Sequence, residues 1–363
     1  MIPVVDGHND ALLRAWRSGE SLRDRGQAGH LDLPRMREGG IAAAFFAIFV
    51  PEDDHEADPR ASVLETDDGW EVPYPTPLDA HRAMTVAREI AAIAERDLDL
   101  VRTVEDLERC IAGGEPGPEA SQSDMPEARS GIIPCSPISA PGAILHLEGA
   151  EPVGADLRDL DAWVERGVRS IGMVWSRPNA FGHGVPFRFP GTPDEGPGLT
   201  DAGRALVRAC NERGILVDLA HLNTRGFFDV AALTDAPLVV THSGAHAIAP
   251  QPRNLKDEQL DAIGDSGGLV GIFFDVVMTR SDGELVLDTP LDVIAEHIDY
   301  VVERVGIDHV ALGSDFDGCF PPAAVDDASK TQELLAVLGW SDDELAKLAH
   351  GNWLRVLRST WRS

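Results

Sequence analysis

Short apolar runs rich in Val, Ile and Phe recur along the chain, each separated from the next by helical or irregular sequence. Eight such runs stand at Ile2–Val5, Ile41–Phe49, Ala143–Leu147, Val168–Val174, Ile215–Leu219, Leu238–Thr241, Gly268–Phe274 and His309–Gly313. Near-continuous hydrophobicity over so few residues predicts strands buried on both faces. Between them, apolar positions at helical spacing predict helices over Pro77–Arg96, Leu157–Arg166, Thr200–Arg213, Asp257–Ile263, Pro290–Val305 and Asp342–Leu357. Four strands are introduced by glycine after a charged or apolar helical end: Glu38-Gly39-Gly40-Ile41, Glu165-Arg166-Gly167-Val168, Glu212-Arg213-Gly214-Ile215 and Val305-Gly306-Ile307. Glycine there stops a helix in the left-handed conformation and releases the chain into a strand.

Strand and helix alternate throughout, so the expected architecture is a parallel sheet closed as a (β/α)8 barrel, one domain over residues 1–363. An open doubly wound sheet is the competing arrangement. No G-x-G-x-x-G or G-x-x-x-x-G-K-[ST] stands at the first strand-to-helix turn to favour it. Three stretches rich in Pro, Gly and acidic residues, Pro51–Pro77, Gly113–Gly142 and Gly182–Gly198, read as loops. The middle one has the composition of a solvated, disordered insertion. The third follows strand four and is placed to cover a site.

The composition narrows the class. With 363 residues, 31 Lys+Arg against 61 Asp+Glu, and a net charge of −30, the chain lacks the clustered cations that bind nucleic acid or anionic membrane. The 43% hydrophobic content supports a large core. Cys110, Cys135, Cys210 and Cys319 are scattered and form no C-x-x-C pair, which suggests neither a disulfide framework nor a zinc ribbon. No basic leader, hydrophobic tail or membrane-length apolar run is present, and a cytoplasmic location is expected.

Barrel enzymes carry their chemistry at the C-terminal ends of the strands. Five of the eight predicted strand ends bring a histidine or carboxylate there: Asp6-Gly7-His8-Asn9-Asp10, His146-Leu147-Glu148, Asp218-Leu219-Ala220-His221, Thr241-His242-Ser243 and Ser314-Asp315-Phe316-Asp317. Alternation along an extended chain puts His8 and Asp10 on one side. Imidazoles with carboxylates around one mouth are the usual ligands of zinc or another divalent first-row ion. His8, Asp10, Glu148, His221 and His242 exceed the needs of one ion and could serve two if Glu148 bridges them, with ions about 3.5–4 Å apart and a hydroxide between.

The segments VVDGHND, HLEGAEP, ILVDLAHLN, VVTHSGAHAI, QPRNL, LGSDFDG and HGNWLRVLR occur in the order and approximate spacing of the membrane dipeptidase (renal dipeptidase, M19) family, and the chain resembles that family over nearly its whole length. The resemblance implies a binuclear zinc amidohydrolase that cleaves L-Xaa-L-Yaa and L-Xaa-D-Yaa dipeptides. It implies that His8 and Asp10 hold one zinc, His221 and His242 the other, with Glu148 bridging. Asp315 resembles the residue that carries the proton from water to the leaving amine, and Arg253 the one that recognises substrate. Many members place a further histidine near the end of strand four, whereas this chain has Trp175. Trp175 cannot carry a positive charge, so a substrate contact there falls to His183, to Arg253 or to the metals.

The expected partner is a small dipeptide, without nucleic acid or membrane, and a homodimer is a candidate assembly. Two other readings of the residues are an amidohydrolase acting on an N-acyl amino acid, cyclic amide or lactone, and a catalytically silent metal-binding barrel. Individual residues also have plainer roles. His55, His81 and His350 read as surface residues, His146 as a barrel-interior residue, and His246 as a cap or packing residue for the next helix. Asp6 is balanced between orienting a ligand histidine and satisfying a turn. Asp218 and Asp317 read as structural hydrogen-bond acceptors. Arg253 has a surface salt bridge as its alternative, and His183 solvent exposure.

Overall fold

The computed structural model of the protein describes residues 1–52, 63–113 and 141–361. His55, Cys135 and nearly all of the segment between Gly113 and Gly142 lie outside the described residues. Eight parallel strands follow one another in chain order around the sheet: β1 Val4–Asn9, β2 Ile41–Phe49, β3 Gly142–Glu148, β4 Val168–Gly172, β5 Leu216–Asp218, β6 Val239–Ser243, β7 Leu269–Ile272 and β8 Val310–Leu312. Each overlaps an expected apolar run, the first only at Val4 and Val5. The ring closes between β1 and β8 through a parallel bridge at Asn9 and Phe316, with Asp10 N donating to Phe316 O at 2.8 Å and Asp315 N donating to His8 O at 3.0 Å. This sequential, closing order excludes an open doubly wound sheet, which reverses its strand order at a switch point.

The longest ladder, β2 against β3, runs from Ala43–Gly142 to Phe49–Glu148 without a break. A register shift in β1 between Asp6 and Asn9 marks the strand that carries His8. The barrel interior is filled from below by Val5, Phe45, Ile144, Leu216, Val239 and Leu269, against Trp353 from the C-terminal helix Asn352–Thr360. Trp353 lies 4.7 Å from the Phe45 ring and donates its indole N–H to Leu312 O at 3.1 Å. Higher up, strands crowd the centre at glycines. A Cβ on Gly7, Gly271 or Gly313 would meet Thr241 O at 2.5, 2.1 and 2.0 Å, so only glycine permits that approach.

Expected helices form at Ala80–Asp97, Leu160–Arg166, Asp201–Arg213, Asp257–Asp265 and Asp292–Val305. Thr200 caps the third by accepting from Gly203 N, and Gly214 ends it at φ 66°. Asp342–Leu357, expected as one helix, is divided by a π segment at Lys347–Gly351, where His350 Nδ1 donates to Pro3 O over 2.8 Å rather than facing solvent freely. Helices at Ala11–Ser18, Leu33–Gly39, Val104–Ile111, Thr224–Ala231 and Thr331–Leu338 were not anticipated, their apolar faces being too short to register as periodic.

Two stretches expected as loops contain structure. Leu64–Thr66 and Gly69–Glu71 form a hairpin that pairs with Arg188–Phe189, making a small antiparallel sheet. Trp70 fastens it to the barrel by donating to Gly283 O at 2.9 Å. No helix among the described residues is long and apolar enough to cross a membrane. Cys110, Cys210 and Cys319 are buried free thiols.

Candidate metal centre

Along β3, residues of one parity face the barrel interior at rising height: Ile144 in the apolar floor, His146 in a polar middle layer and Glu148 at the mouth. Around Glu148 stand the expected residues. His8 Nε2 lies 3.6 Å from Asp10 Oδ2, 3.6 Å from Glu148 Oε2 and 4.0 Å from Asp315 Oδ1. His221 Nε2 lies 3.0 Å from Glu148 Oε1, and His242 Nε2 is 3.7 Å from the same oxygen. The two carboxylate oxygens of Glu148 thus face different histidines. Donor atoms of His8, Glu148 and His242, and separately of His8, Asp10 and Asp315, fall within 4.8 Å of one another.

The chemistry of this donor set suits a cation. His221 Nε2 and His242 Nε2 face each other at 3.1 Å. Burial, with Arg253 and His8 nearby, holds both rings far below 6.5, so each is neutral with one proton. Each Nδ1 is already engaged by a hydroxyl, Ser176 Oγ at 2.8 Å and Thr241 Oγ1 at 3.0 Å. With the protons on Nδ1, two lone pairs point into one space. Asp10 Oδ1 and both His8 nitrogens are buried without hydrogen-bond partners. Burial raises Glu148, and it pushes Asp315 well above the usual carboxylate range with Asp10 and Glu148 adding to the effect. His8 shows the same demand for positive charge. Burial opposes its protonation, yet Glu148 and Asp10 outweigh that and hold it well above 6.5.

Backbone geometry aims these groups. His221 and Asp315 both adopt φ 62°, in the left-handed region where a residue with a Cβ is strained. Val185 N pins the first by donating to His221 O at 2.8 Å, and Gly318 makes room for the second. A Cβ on Gly318 would sit 2.2 Å from Asp10 Oδ2 and 2.6 Å from Asp315 Oδ1.

Arg253 is only 5% exposed, which overturns its surface salt-bridge alternative. Its guanidinium donates to His242 O at 3.2 Å and lies 5.8 Å over the Phe273 ring, and no carboxylate among the described residues is within ion-pair distance. Burial lowers its pKa, with Asp315 and Glu148 opposing. Trp175 is half-buried, 5.9 Å from the His221 ring, and meets Phe49 at 4.9 Å and Phe187 at 5.4 Å. His183 is also half-buried. It stacks on Tyr74 at 5.3 Å and shares a 3.1 Å hydrogen bond with its hydroxyl, instead of joining the ligand cluster.

The remaining candidates resolve into supporting roles. Asp6 accepts from Ser314 N at 2.6 Å and Ser314 Oγ at 2.8 Å, stitching β1 to β8 rather than orienting a histidine. Asp317 accepts from His30 N at 2.7 Å and pairs with Arg14 at 3.1 Å. Asp218 accepts from Thr241 and Ala220, and His146 bonds Ser170 Oγ at 2.9 Å within the interior. His246 reaches Gly191 O at 2.9 Å, anchoring the loop after β4, and His81 is exposed.

Sequence reasoning missed Ser176, Thr241 and the buried pair Arg177–Glu151. Arg177 donates to Glu151 Oε1 at 2.7 Å and lies 5.3 Å from the Phe49 ring and 5.2 Å from Trp175, propping the aromatic wall from behind. Lone hydroxyls and arginines carry no spacing signal, because their partners are brought from other strands.

A model of the membrane dipeptidase family, peptidase family M19, matches residues 1–115 and 141–362. A metallopeptidase from Rhodobacter sphaeroides, crystallised with a phosphinate mimic of the dipeptide L-Ala-D-Ala, is 41% identical and superposes with a TM-score of 0.88 over 99% of each chain. Dipeptidase AC, a family M19 metallopeptidase, is 41% identical with a TM-score of 0.87, over 100% of this chain and 99% of its own. An uncharacterised protein from the pqqA 5′ region of Klebsiella pneumoniae is 48% identical over 222 residues, 60% of this chain and 82% of that protein. The chain is a metallo-dipeptidase belonging to the membrane dipeptidase family, peptidase family M19.

Proposed function

We propose that this dipeptidase works with two zinc ions, His8 and Asp10 holding one, His221 and His242 the other, and Glu148 bridging. The observation that carries the reading is the convergence on Glu148 of three imidazoles with unshared or carboxylate-facing Nε2 atoms. Divalent ions held there supply polarisation of the scissile carbonyl and activation of water. Asp315, desolvated and close to His8, takes the proton of the attacking water and returns it to the leaving amine. Arg253, a buried cation without a carboxylate of its own among the described residues, holds the C-terminal carboxylate of the dipeptide. Trp175, with Phe49 and Phe187, excludes water beside His221, and the Tyr74–His183 pair borders the segment that bonds His221.

L-Xaa-L-Yaa and L-Xaa-D-Yaa dipeptides are the proposed substrates, the second supported by the L-Ala-D-Ala mimic bound to the Rhodobacter relative. Metal analysis of the purified protein, with hydrolysis of a dipeptide library varied in both side chains and both stereocentres, tests this. Close to two zinc equivalents and chelator-sensitive cleavage are expected. Metal-loaded protein that leaves every dipeptide intact but cleaves N-acyl amino acids or cyclic amides would assign the site to that chemistry instead.

A further inference from the structure

We propose that Thr241, backed by Asp218, sets the tautomer of His242 and so aims a bare Nε2 at the metal. Thr241 is on this account a positioning residue, and the proposal rests on His242 being a ligand. Thr241 Oγ1 stands 2.8 Å from Asp218 Oδ2 and 3.0 Å from His242 Nδ1. A hydroxyl has one proton to give. Asp218 Oδ1 already accepts from Thr241 N at 2.8 Å and Ala220 N at 3.1 Å, and Oδ2 accepts the hydroxyl. Thr241 Oγ1 therefore offers a lone pair to His242 Nδ1, which must carry the proton, and Nε2 is left bare.

The arrangement is sealed. Asp218, Thr241 and His242 are each no more than 1% exposed, so bulk solvent does not reach them. The backbone of Thr241 is held where Gly7, Gly271 and Gly313 press against its carbonyl. The other two imidazoles are fixed less firmly. Ser176, which meets His221 Nδ1, has no carboxylate bonded behind it among the described residues, and His8 Nδ1 has no partner. His242 is thus the one imidazole of the three whose protonated nitrogen is dictated by a carboxylate-backed hydroxyl. Partners of this kind fix ring orientation and raise ligand basicity.

Three variants test it by metal affinity rather than turnover. Thr241→Val keeps the shape and the backbone N–H but loses the hydroxyl. Asp218→Asn turns an amide N–H toward Thr241 Oγ1, which reverses the chain and hands the Thr241 proton to His242 Nδ1. Thr241→Ser restores the device. In chelator competition, Thr241→Val and Asp218→Asn are expected to bind one zinc equivalent about 10–100-fold more weakly, with Thr241→Ser within about threefold of wild type. Unchanged affinity in Thr241→Val, or Thr241→Ser as weak as valine, overturns the proposal.

Nitrogen spectra of histidine-labelled, metal-free wild type provide a measurement that needs no folded valine variant, the His242 signals being those lost in His242→Gln. A ring protonated at Nδ1 is expected, and one protonated at Nε2 overturns the proposal. Wild-type protein that binds no zinc defeats the ligand reading itself and the proposal with it, an outcome separate from a tautomer that is wrong in a metal-binding protein.

Discussion

His221 Nε2 and His242 Nε2 face each other at 3.1 Å while hydroxyls of Ser176 and Thr241 occupy their Nδ1 atoms. Only the folded chain brings both Nε2 atoms to one place beside Glu148, so zinc should bind the folded state alone. Adding zinc to chelated protein is expected to raise the unfolding temperature, with about 2.7 kcal/mol gained at a free concentration 100 times the dissociation constant. Scanning calorimetry with and without zinc checks this, and an unmoved transition counts against the site.

In the proposed function Asp315 moves a proton rather than holding the ions. Replacing it by asparagine keeps the volume and removes the base. Turnover of Asp315→Asn should fall by about 10²–10⁴, with zinc content near wild type. Loss of zinc in parallel with activity would make Asp315 a ligand.

The proposed role of Arg253 is in binding and not in chemistry. In Arg253→Met the KM for free dipeptides should rise about 10–100-fold, the scale of a hydrogen bond to a charged group. Dipeptide amides, which lack the C-terminal carboxylate, should be affected little. Equal losses on both substrate sets would tie Arg253 to the scissile carbonyl instead.

Gly318 gives a test that leaves every acidic and basic side chain in place. The methyl of Gly318→Ala would collide with Asp10 and Asp315 together. Zinc affinity and turnover should each drop about tenfold or more, with unchanged circular dichroism. Wild-type activity would show that the two carboxylates have room to move.

His297 makes stability depend on pH outside the site. Its Nδ1 accepts from Ala245 N at 2.9 Å and its Nε2 donates to Thr279 O at 2.9 Å, and burial lowers its pKa to about 4. The unfolded ring titrates near 6.5, so between these values the unfolded chain binds more protons and stability falls as pH falls. The loss should reach about 3 kcal/mol once pH is below 4. Denaturant titrations across this range, compared with His297→Asn, should show a steeper decline in wild type; parallel curves would remove His297 as the cause.

The order of strands and the positions of His8, Asp10, Glu148, His221, His242 and Asp315 were legible in the chain itself. Strands buried on both faces need continuous apolar runs, and a barrel exposes chemistry at one end of each, so a linear pattern reports both. Tertiary structure alone decided what stands behind those residues. Asp6 had two readings until the turn after β8 brought Ser314 to it, and Arg253 had two until burial set its guanidinium against His242 O with no acid partner among the described residues. The hairpin at Leu64–Glu71 exists as part of a sheet only because Arg188–Phe189 pairs with it from more than a hundred residues away. Thr241 and Ser176 carry no periodic signal, since a hydroxyl acquires its role from the nitrogen that another strand or its own neighbour turns toward it. Burial acts along the chain as a pattern, whereas hydrogen bonds and charge act through space between residues whose separation only the closed barrel sets.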